Sequence, residues 1–263
     1  MQCTLITASY ELRSIALFSI MFEKKIVYFI KFFDEKIHAE SFMDGFLHLK
    51  TLSYYKSIED AGDGRKDTNE GVSYWWQPSD VIMKLSNTLF GEIIITNDDI
   101  AAPILISYNK HEYLHIFCMY AVWTNGFELI EGRINYSTED ADRLRNQLKI
   151  DSRCFQFGKH AVIVPAFEFK ERLKIALEQT KKACKARLID YFEDEQFSGQ
   201  FCDSEIPFKK TKEFTYQNEY RICIDNKIDH HEPYTLSMGS LRDISALVES
   251  EKLNDLLRID SIV

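Results

Sequence analysis

The residues whose spacing most directly suggests chemistry are His111, Glu112 and His115, which match the pattern H-E-x-x-H. On a helix, residues four apart share a face, so two such imidazoles bind a zinc ion while the glutamate activates a water molecule. A zinc hydrolase is therefore one hypothesis. Residues 114–123 have strand composition, however, and on a strand the two histidines would be about 13 Å apart. The favoured interpretation is a hairpin with partly exposed histidines.

A second constellation lies in residues 216–221, with the sequence YQNEYR, which open a predicted strand. Alternate residues of a strand project from the same face, so Gln217 and Glu219 are expected to project together at the mouth of a sheet. A structural interpretation stays open, in which Glu219 pairs with a neighbouring cation and Arg221 is an edge residue.

Acidic residues also lie in a polar loop, residues 59–71, which is long for a compact domain and is therefore a candidate active-site flap. Its carboxylates suggest a calcium site, but their spacing departs from the EF-hand pattern, so a solvated loop is the favoured interpretation. These carboxylates belong to Asp60, Asp63, Asp67 and Glu70. The sequence contains neither a glycine-rich phosphate loop nor the G-x-S-x-G pattern of serine hydrolases.

The composition is that of a compact globular protein. Hydrophobic residues make up 45% and aromatic residues 13% of the 263 residues, which excludes a disordered or low-complexity chain. The net charge of −9 excludes a broadly basic nucleic-acid binder, so contact with a nucleic acid would need a local basic patch. The clustered cations that offer one are Lys181, Lys182, Lys185, Arg187, Lys209, Lys210 and Lys212.

The cysteines and the N-terminal residues bear on location and domain organisation. Six cysteines without a C-x-x-C pair indicate buried free thiols in a reducing cytoplasm. The apolar run at residues 14–22 is too short to span a bilayer and lacks the features of a signal peptide, so no membrane association is expected. Met21 offers a second start, which predicts an N-terminal extension at residues 1–20. No linker or repeat divides residues 21–263, which are predicted to form a single domain.

The elements that must position these motifs are short and irregularly ordered. Strands are predicted at residues 26–33, 46–49, 81–85, 91–96, 104–108, 114–123, 160–164 and 220–224. Helices are predicted at residues 35–43, 52–57, 137–148, 166–195 and 250–258, the first capped by Asp34 and stopped by Gly45. The helices are too few for a regular βαβ wind, so the predicted fold class is α+β with mostly antiparallel strands.

With the polar segment 209–214 before it, the motif Gln217-Asn218-Glu219 resembles the ADP-ribosyltransferase superfamily, in which a loop precedes a strand carrying Q/E-x-E. The N-terminal half is similar too, because a strand with an aromatic (VYF), a short helix and a glycine lead into FLHL at residues 46–49. The resemblance implies an ADP-ribosyltransferase-like split antiparallel β-sheet core with flanking helices. The chain also resembles a group of little-characterised bacterial proteins with F-x-x-G-x-L-x-x-x-x-L-x-Y-Y and Y-Q-x-E-Y-R.

The resemblance implies roles for particular residues. Glu219 would be the catalytic acid residue, which binds a ribose hydroxyl of NAD and stabilises positive charge as the nicotinamide bond breaks. Gln217 would orient the acceptor. An aromatic side chain would stack on the nicotinamide ring, and the residues that would contact the cofactor are Tyr28, Lys31, Tyr54, Tyr55 and Tyr120.

The layout is similar to that of bacterial toxins in this superfamily that modify DNA thymidine or RNA. It implies a cytoplasmic NAD-dependent ADP-ribosyltransferase toxin of a toxin–antitoxin or anti-phage system, with a cognate antitoxin protein and with RNA favoured over DNA as the acceptor. Three alternatives stay open: a protein acceptor, a zinc hydrolase built on the H-E-x-x-H residues, and a non-enzymatic protein whose acidic surface binds a basic partner.

Overall fold

The structure, a computed structural model, describes residues 24–57, 67–87, 91–131, 133–227 and 231–257. Its strands are β1 Lys25–Phe33, β2 Phe46–Thr51, β3 Val72–Trp76, β4 Met83–Asn87, β5 Gly91–Ile95, β6 Ile104–Ser107, β7 His115–Thr124, β8 Glu128–Ile130, β9 Arg133–Asn135, β10 His160–Pro165, β11 Ala183–Leu188, β12 Asp190–Phe192, β13 Gly199–Gln200, β14 Lys209–Thr211, β15 Glu219–Asp225, β16 Tyr234–Ser237 and β17 Ala246–Glu249. Its α-helices are α1 Lys36–Met43, α2 Leu52–Ser57, α3 Asn109–Glu112, α4 Ala141–Leu148, α5 Ala166–Thr180 and α6 Leu253–Leu256. The expectations for residues 1–20, the apolar run 14–22, Asp60 and Asp63 lie outside the described residues.

Among the described residues, eight strands form one antiparallel sheet. Its order is β11–β15–β7–β1–β10–β17, and β2 joins it by pairing with β7 and with β16. The remaining strands form small separate sheets, of which only β12 and β14 pair in parallel. The predicted α+β class with mostly antiparallel strands is therefore confirmed. No helix in the described part of the chain is long and apolar enough to cross a membrane.

The large sheet is buried on both faces, because alternation along β1 sends successive side chains to opposite sides. Phe29 is fully buried on one face, where its ring packs near Phe42 of α1 and Phe169 of α5. Ile30 is fully buried on the other face, in a cluster with Leu144 and Leu148 of α4. Burial of each such side chain contributes about 1.5–3 kcal/mol, so helices on both sides stabilise the sheet.

The sheet splits along one edge of β7. On that edge, β1 pairs with β7 only as far as Ile30 opposite Tyr120, and β2 pairs with it only at Ile116 and His115. Residues 117–119 lie between these two contacts, and no strand in the described part of the chain pairs with them on that side. The Nζ of Lys31 donates a hydrogen bond to the Cys118 carbonyl oxygen there, at 2.7 Å. A gap bordered by three strands therefore opens in the middle of the sheet.

The turn between α1 and β2 depends on glycine. The helix ends at Met43, and Gly45 follows with a left-handed φ of +92°. A Cβ at Gly45 would lie 1.8 Å from the carbonyl oxygen of Gly239, so the close approach admits only glycine. The prediction that Gly45 stops this helix is confirmed. The predicted cap is wrong, because the carbonyl of Glu35, not that of Asp34, accepts the first helical hydrogen bonds.

The helix predicted over residues 166–195 is shorter than expected. It ends at Thr180, and Lys181 turns the chain with a left-handed φ of 55°. The next residues form β11, which pairs with β15 along its length. Leu188, which is at helical spacing in the sequence, thus belongs to a strand, because pairing within the sheet overrides local spacing.

Other differences from the predicted elements are smaller. β3, which pairs with β6 and β13, is among the strands that the sequence patterns do not predict. The predicted C-terminal helix is a 3₁₀ turn, Ser250–Lys252, followed by the single turn of α6. Among the described cysteines, Cys154 and Cys223 are buried as expected, whereas Cys184 on the edge strand β11 and Cys202 in a loop are exposed.

Candidate active site

A cavity of about 280 Å³ lies at the split in the sheet. Most of its walls come from β1, β2, α2, β7 and β15, with single residues added by β14 and by two 3₁₀ turns. It is lined by Ile30, Lys31, Phe32, His48, Lys50, Tyr54, Tyr55, Cys118, Met119, Tyr120, Phe157, Lys210, Gln217, Glu219 and Arg221. The split therefore gathers side chains from both halves of the sequence around one space.

Glu219 enters this cavity as the first residue of β15. Asn218 before it has a left-handed φ of 39°, and the Glu219 amide donates to the Tyr191 hydroxyl at 3.0 Å. The residue is only 5% exposed. Its Oε1 accepts from Nε of Arg221 at 2.8 Å, and its Oε2 lies 2.9 Å from Nζ of Lys210. Both carboxylate oxygens are held, so the carboxylate has a fixed orientation.

Arg221 is fully buried, and all five of its N–H donors have acceptors. Nε and Nη2 contact Oε1 of Glu219, at 2.8 and 2.7 Å. Nη1 and Nη2 donate to the two oxygens of Glu70 at 2.5 and 3.1 Å, and Nη1 also donates to the Pro207 carbonyl at 2.6 Å. The interpretation of Arg221 as an edge residue is wrong, because β15 lies between β11 and β7.

Lys210 joins Gln217 to the same network. Its buried Nζ donates to Oε1 of Gln217 at 3.0 Å while it contacts Glu219, and it lies 3.9 Å from Oε2 of Glu70. Gln217 ends the 3₁₀ turn Lys212–Gln217 and is not a strand residue. The structure therefore brings Gln217 and Glu219 together, but through this turn and a shared lysine rather than by strand alternation.

The charges of the network fix its protonation states. Burial raises the pKa of Glu219, but Arg221 and Lys210 outweigh it and hold the pKa well below its usual range. Burial lowers the pKa of Lys210, but the charges of Glu219 and Glu70 bring it above its usual value. Beside the carboxylate, burial raises the pKa of the Cys118 thiol to about 12. At neutral pH the site therefore holds an anionic Glu219 between two cations, next to a protonated thiol.

The mouth of the cavity is aromatic and cationic. The exposed ring of Tyr54 stands edge-on to Tyr55, with ring centroids 5.5 Å apart. The Nζ of Lys50 lies 5.1 Å from the Tyr54 ring centroid, and Lys31 reaches the cavity from β1. Burial and nearby positive charges, including Lys50, lower the pKa of His48. Ring faces and cations at one opening suit a ligand that is both aromatic and anionic.

The structure gathers four of the five predicted cofactor residues at this cavity. Lys31, Tyr54, Tyr55 and Tyr120 all line it. Tyr120 is 5% exposed, and its hydroxyl accepts from the Asn218 side-chain amide at 3.1 Å. Tyr28 does not line it, because it lies two residues before Ile30, opposite Val122 and further from the split.

The H-E-x-x-H residues are not arranged as a metal site. His111 belongs to α3 whereas His115 opens β7, so the two do not share a helix face. Nδ1 of His111 lies 3.2 Å from the Ser73 hydroxyl, and Nε2 of His115 donates to the Glu232 carbonyl at 2.8 Å. In the part of the chain that the structure describes, no group of three His, Cys, Asp or Glu side chains could hold a metal ion. The predicted hairpin with partly exposed histidines is also wrong, since both histidines are buried.

The described end of the acidic loop is not solvated. Asp67 and Glu70 are 2% and 1% exposed. Oδ1 of Asp67 accepts from the Asn69 amide at 2.9 Å, and its Oδ2 has no hydrogen-bond partner among the described residues. Burial and the charge of Glu70 raise the pKa of Asp67 to about 6. The interpretation of these two residues as a solvated loop is therefore wrong, because Glu70 is the buried counter-ion of Arg221.

Most of the predicted basic patch is ion-paired. The pairs are Lys185 and Arg187 with Glu205, Lys209 with Asp190, and Lys212 with Glu193. Lys210, from the same cluster, is buried in the cavity wall. Acidic neighbours thus offset much of the positive charge that would attract a phosphate backbone.

Sequence reasoning missed the roles of Glu70, Lys210 and Arg221 in the site. The sequence signal that could have found them is Glu219 and Arg221 two apart on a strand, since a charge pair in a buried strand needs further counter-ions. Comparison of the chain with protein-family models, curated proteins and solved structures finds no match.

Proposed function

We propose that this protein is an NAD-dependent ADP-ribosyltransferase whose catalytic residue is Glu219. The observation that carries the proposal is the fixed, anionic Glu219 carboxylate with Gln217 beside it, in a cavity at the split of an antiparallel sheet. This split agrees with the ADP-ribosyltransferase-like core that the Gln217-Asn218-Glu219 motif implies.

In this reaction the bond between nicotinamide and the ribose anomeric carbon breaks, and nicotinamide leaves with the electron pair. The ribose then has oxocarbenium character, and an acceptor nucleophile forms the new bond while it loses a proton. The Glu219 carboxylate stabilises the positive charge and accepts a hydrogen bond from a ribose hydroxyl. The Cys118 thiol, within hydrogen-bonding reach of this carboxylate, is a weak donor that a hydroxyl can displace.

The tyrosines and cations at the mouth account for the rest of the cofactor. Tyr54 and Tyr55 offer ring faces for nicotinamide, and Lys31 and Lys50 offer positive charge for the phosphates of NAD. The volume of about 280 Å³ is just below the range of about 300–1,000 Å³ that is usual for small-molecule pockets. The cavity therefore holds the reacting part of the dinucleotide, and the remainder extends past the mouth.

We place the activity in a cytoplasmic toxin of a toxin–antitoxin or anti-phage system, with a cognate antitoxin protein and with RNA as the acceptor. This proposal rests on the resemblance to nucleic-acid-modifying toxins and on the clustered cations. A protein acceptor is the alternative, and the ion pairing of Lys185, Arg187, Lys209 and Lys212 favours it.

The test is incubation of the purified protein with labelled NAD and cell lysate, followed by separate digestion with nuclease and protease. We expect label transfer that nuclease removes, and a loss of at least about 100-fold in the Glu219→Gln variant. The matched control is Glu112→Gln, the glutamate of the H-E-x-x-H pattern, which should leave transfer unchanged. Full activity of a folded Glu219→Gln protein would overturn the proposal, and label removed only by protease would redirect it to a protein acceptor.

A further inference from the structure

We propose that Glu70 and Arg221 are positioning residues that together fix the Glu219 carboxylate in the orientation that NAD cleavage requires. The role rests on the function proposed above, because it serves the reaction of Glu219. It concerns residues that do not themselves react, since Glu70 does not line the cavity and acts through the guanidinium.

The geometry of the guanidinium defines the role. Its plane presents one edge to Glu219 and another to Glu70, and the fifth hydrogen meets the Pro207 carbonyl. With every donor used, Arg221 cannot rotate without breaking at least one bond in a buried site. A lysine at the same position would offer a point charge and could not span both carboxylates.

The turn that carries Glu70 is itself held in place. The Asp67 carboxylate accepts from the Asn69 amide at 2.9 Å, and the Glu70 amide donates to the Asp67 carbonyl at 3.3 Å. Gly71 follows with a left-handed φ of +73° and leads into β3. Glu70 thus approaches Arg221 from a closed turn anchored to a strand, and it does not itself line the cavity.

Burial makes a purely stabilising role a poor explanation. Glu70, Glu219 and Arg221 are each at most 5% exposed, and Lys210 is 6% exposed. Apolar side chains of similar volume are often as stable as a buried ion network, or more stable, because each charge must be desolvated. This network holds the Glu219 carboxylate in one direction at the cavity. Orientation of that carboxylate therefore explains the buried charges better than stability does.

The kinetic test compares Glu70→Gln with Glu205→Gln. Glu205 is the matched control, because it also pairs with two cations, Lys185 and Arg187, but lies outside the cavity. For Glu70→Gln we expect kcat for NAD cleavage to fall by about 100-fold, as for a misplaced catalytic group, with KM within about threefold. Glu205→Gln should change neither. Glu70→Asp, which keeps the charge, should recover part of the loss.

A double variant separates positioning from general damage to the protein. If Glu70 acts through Glu219, then Glu70→Gln added to Glu219→Gln should lower kcat no further than Glu219→Gln alone. Independent losses that multiply in the double variant would overturn the proposal. Retention of kcat within about threefold in a folded Glu70→Gln protein would overturn it as well.

A measurement that does not depend on activity tests the positioning role even if the protein does not cleave NAD. In ¹⁵N NMR of the full chain, the Arg221 guanidinium should give separate, slowly exchanging Nη–H signals, and in Glu70→Asp these should broaden or merge. Freely rotating signals in the unmodified protein would overturn the positioning role whether or not NAD is cleaved. Separate signals in a protein that does not cleave NAD would overturn the proposed function and, with it, the catalytic purpose of a network that still orients Glu219.

Discussion

The strand pair β7–β15 carries the two chemically suggestive constellations at its opposite ends. At one end Glu219 lies opposite Tyr120, and at the other Ile224 lies opposite His115. Glu219 becomes the centre of a buried network because Glu70 and Lys210 reach it from elsewhere in the chain. Among the described residues, the hydrogen-bond partners of His115 are the Glu232 carbonyl and the Asn226 amide, at 2.8 and 3.2 Å.

The difference teaches that residue spacing alone does not make a site. The two ends share the same strands and similar burial, but only one lies at the split where β1 and β2 diverge from β7. The split leaves space for a ligand, and charged residues distant in sequence converge on that space. At the other end, hydrogen bonds satisfy both ring nitrogens of His115 and tie this end of β7 to Glu232 and Asn226.

Removal of the central cation should produce the largest effect. Arg221→Met leaves Glu70 and Glu219 buried with Lys210 as their remaining cation, and we expect a loss of about 3–5 kcal/mol in the free energy of unfolding. Urea denaturation measures it. The control is Arg187→Met, which removes a partly exposed partner of Glu205 and should lose less than about 1 kcal/mol. If both variants lose the same small free energy of unfolding, the buried network is no stronger than a surface ion pair.

Neutralisation of Asp67 should stabilise the protein at high pH. Its folded-state pKa of about 6 lies above the usual 3.8, so its contribution to stability is present below pH 4 and is lost as the pH rises through 6. Asp67→Asn should therefore raise the free energy of unfolding at pH 8 by up to about 3 kcal/mol, with little gain at pH 4. Urea titrations at both pH values measure this. The same gain at both, or a similar gain from the exposed Asp80→Asn, would contradict the assignment.

At the opposite end, His115→Ala should affect stability and not chemistry. It removes two hydrogen bonds from a buried site, so we expect a loss of about 1–3 kcal/mol in the free energy of unfolding. Incubation with EDTA should change neither the unfolding midpoint nor NAD cleavage, in the original protein or in the variant. A chelator-dependent loss of stability that His115→Ala abolishes would restore the zinc hypothesis.

The smallest effect is expected at the glutamate of the H-E-x-x-H pattern. The Glu112 side chain is 32% exposed and pairs with Lys56 at 3.3 Å. Glu112→Gln should lower the free energy of unfolding by less than about 1 kcal/mol, and high salt should reduce the difference further. Thermal unfolding at low and high salt measures this. A large, salt-independent loss would show that this end also holds a tightly coupled network.

Local sequence patterns predict much of the sheet but not all of the site. The β-branched and aromatic run of β1 and the glycine after α1, Gly45, are readable because neighbouring residues decide them. β11 is misread as helix, because its pairing with β15 decides its structure. Glu70 is misread as a solvated residue, since its partner Arg221 lies 151 residues away in the sequence.

That same separation has a consequence for the newly made chain. The contact between Glu70 and Arg221 closes a loop of 151 residues, and such closure carries an entropy penalty that only non-local structure repays. β15 emerges from the ribosome after β7 and β11, the strands it pairs with, so a nascent chain has no complete cavity until Arg221 has been synthesised. Termination before Glu219 would therefore yield a fragment without the site.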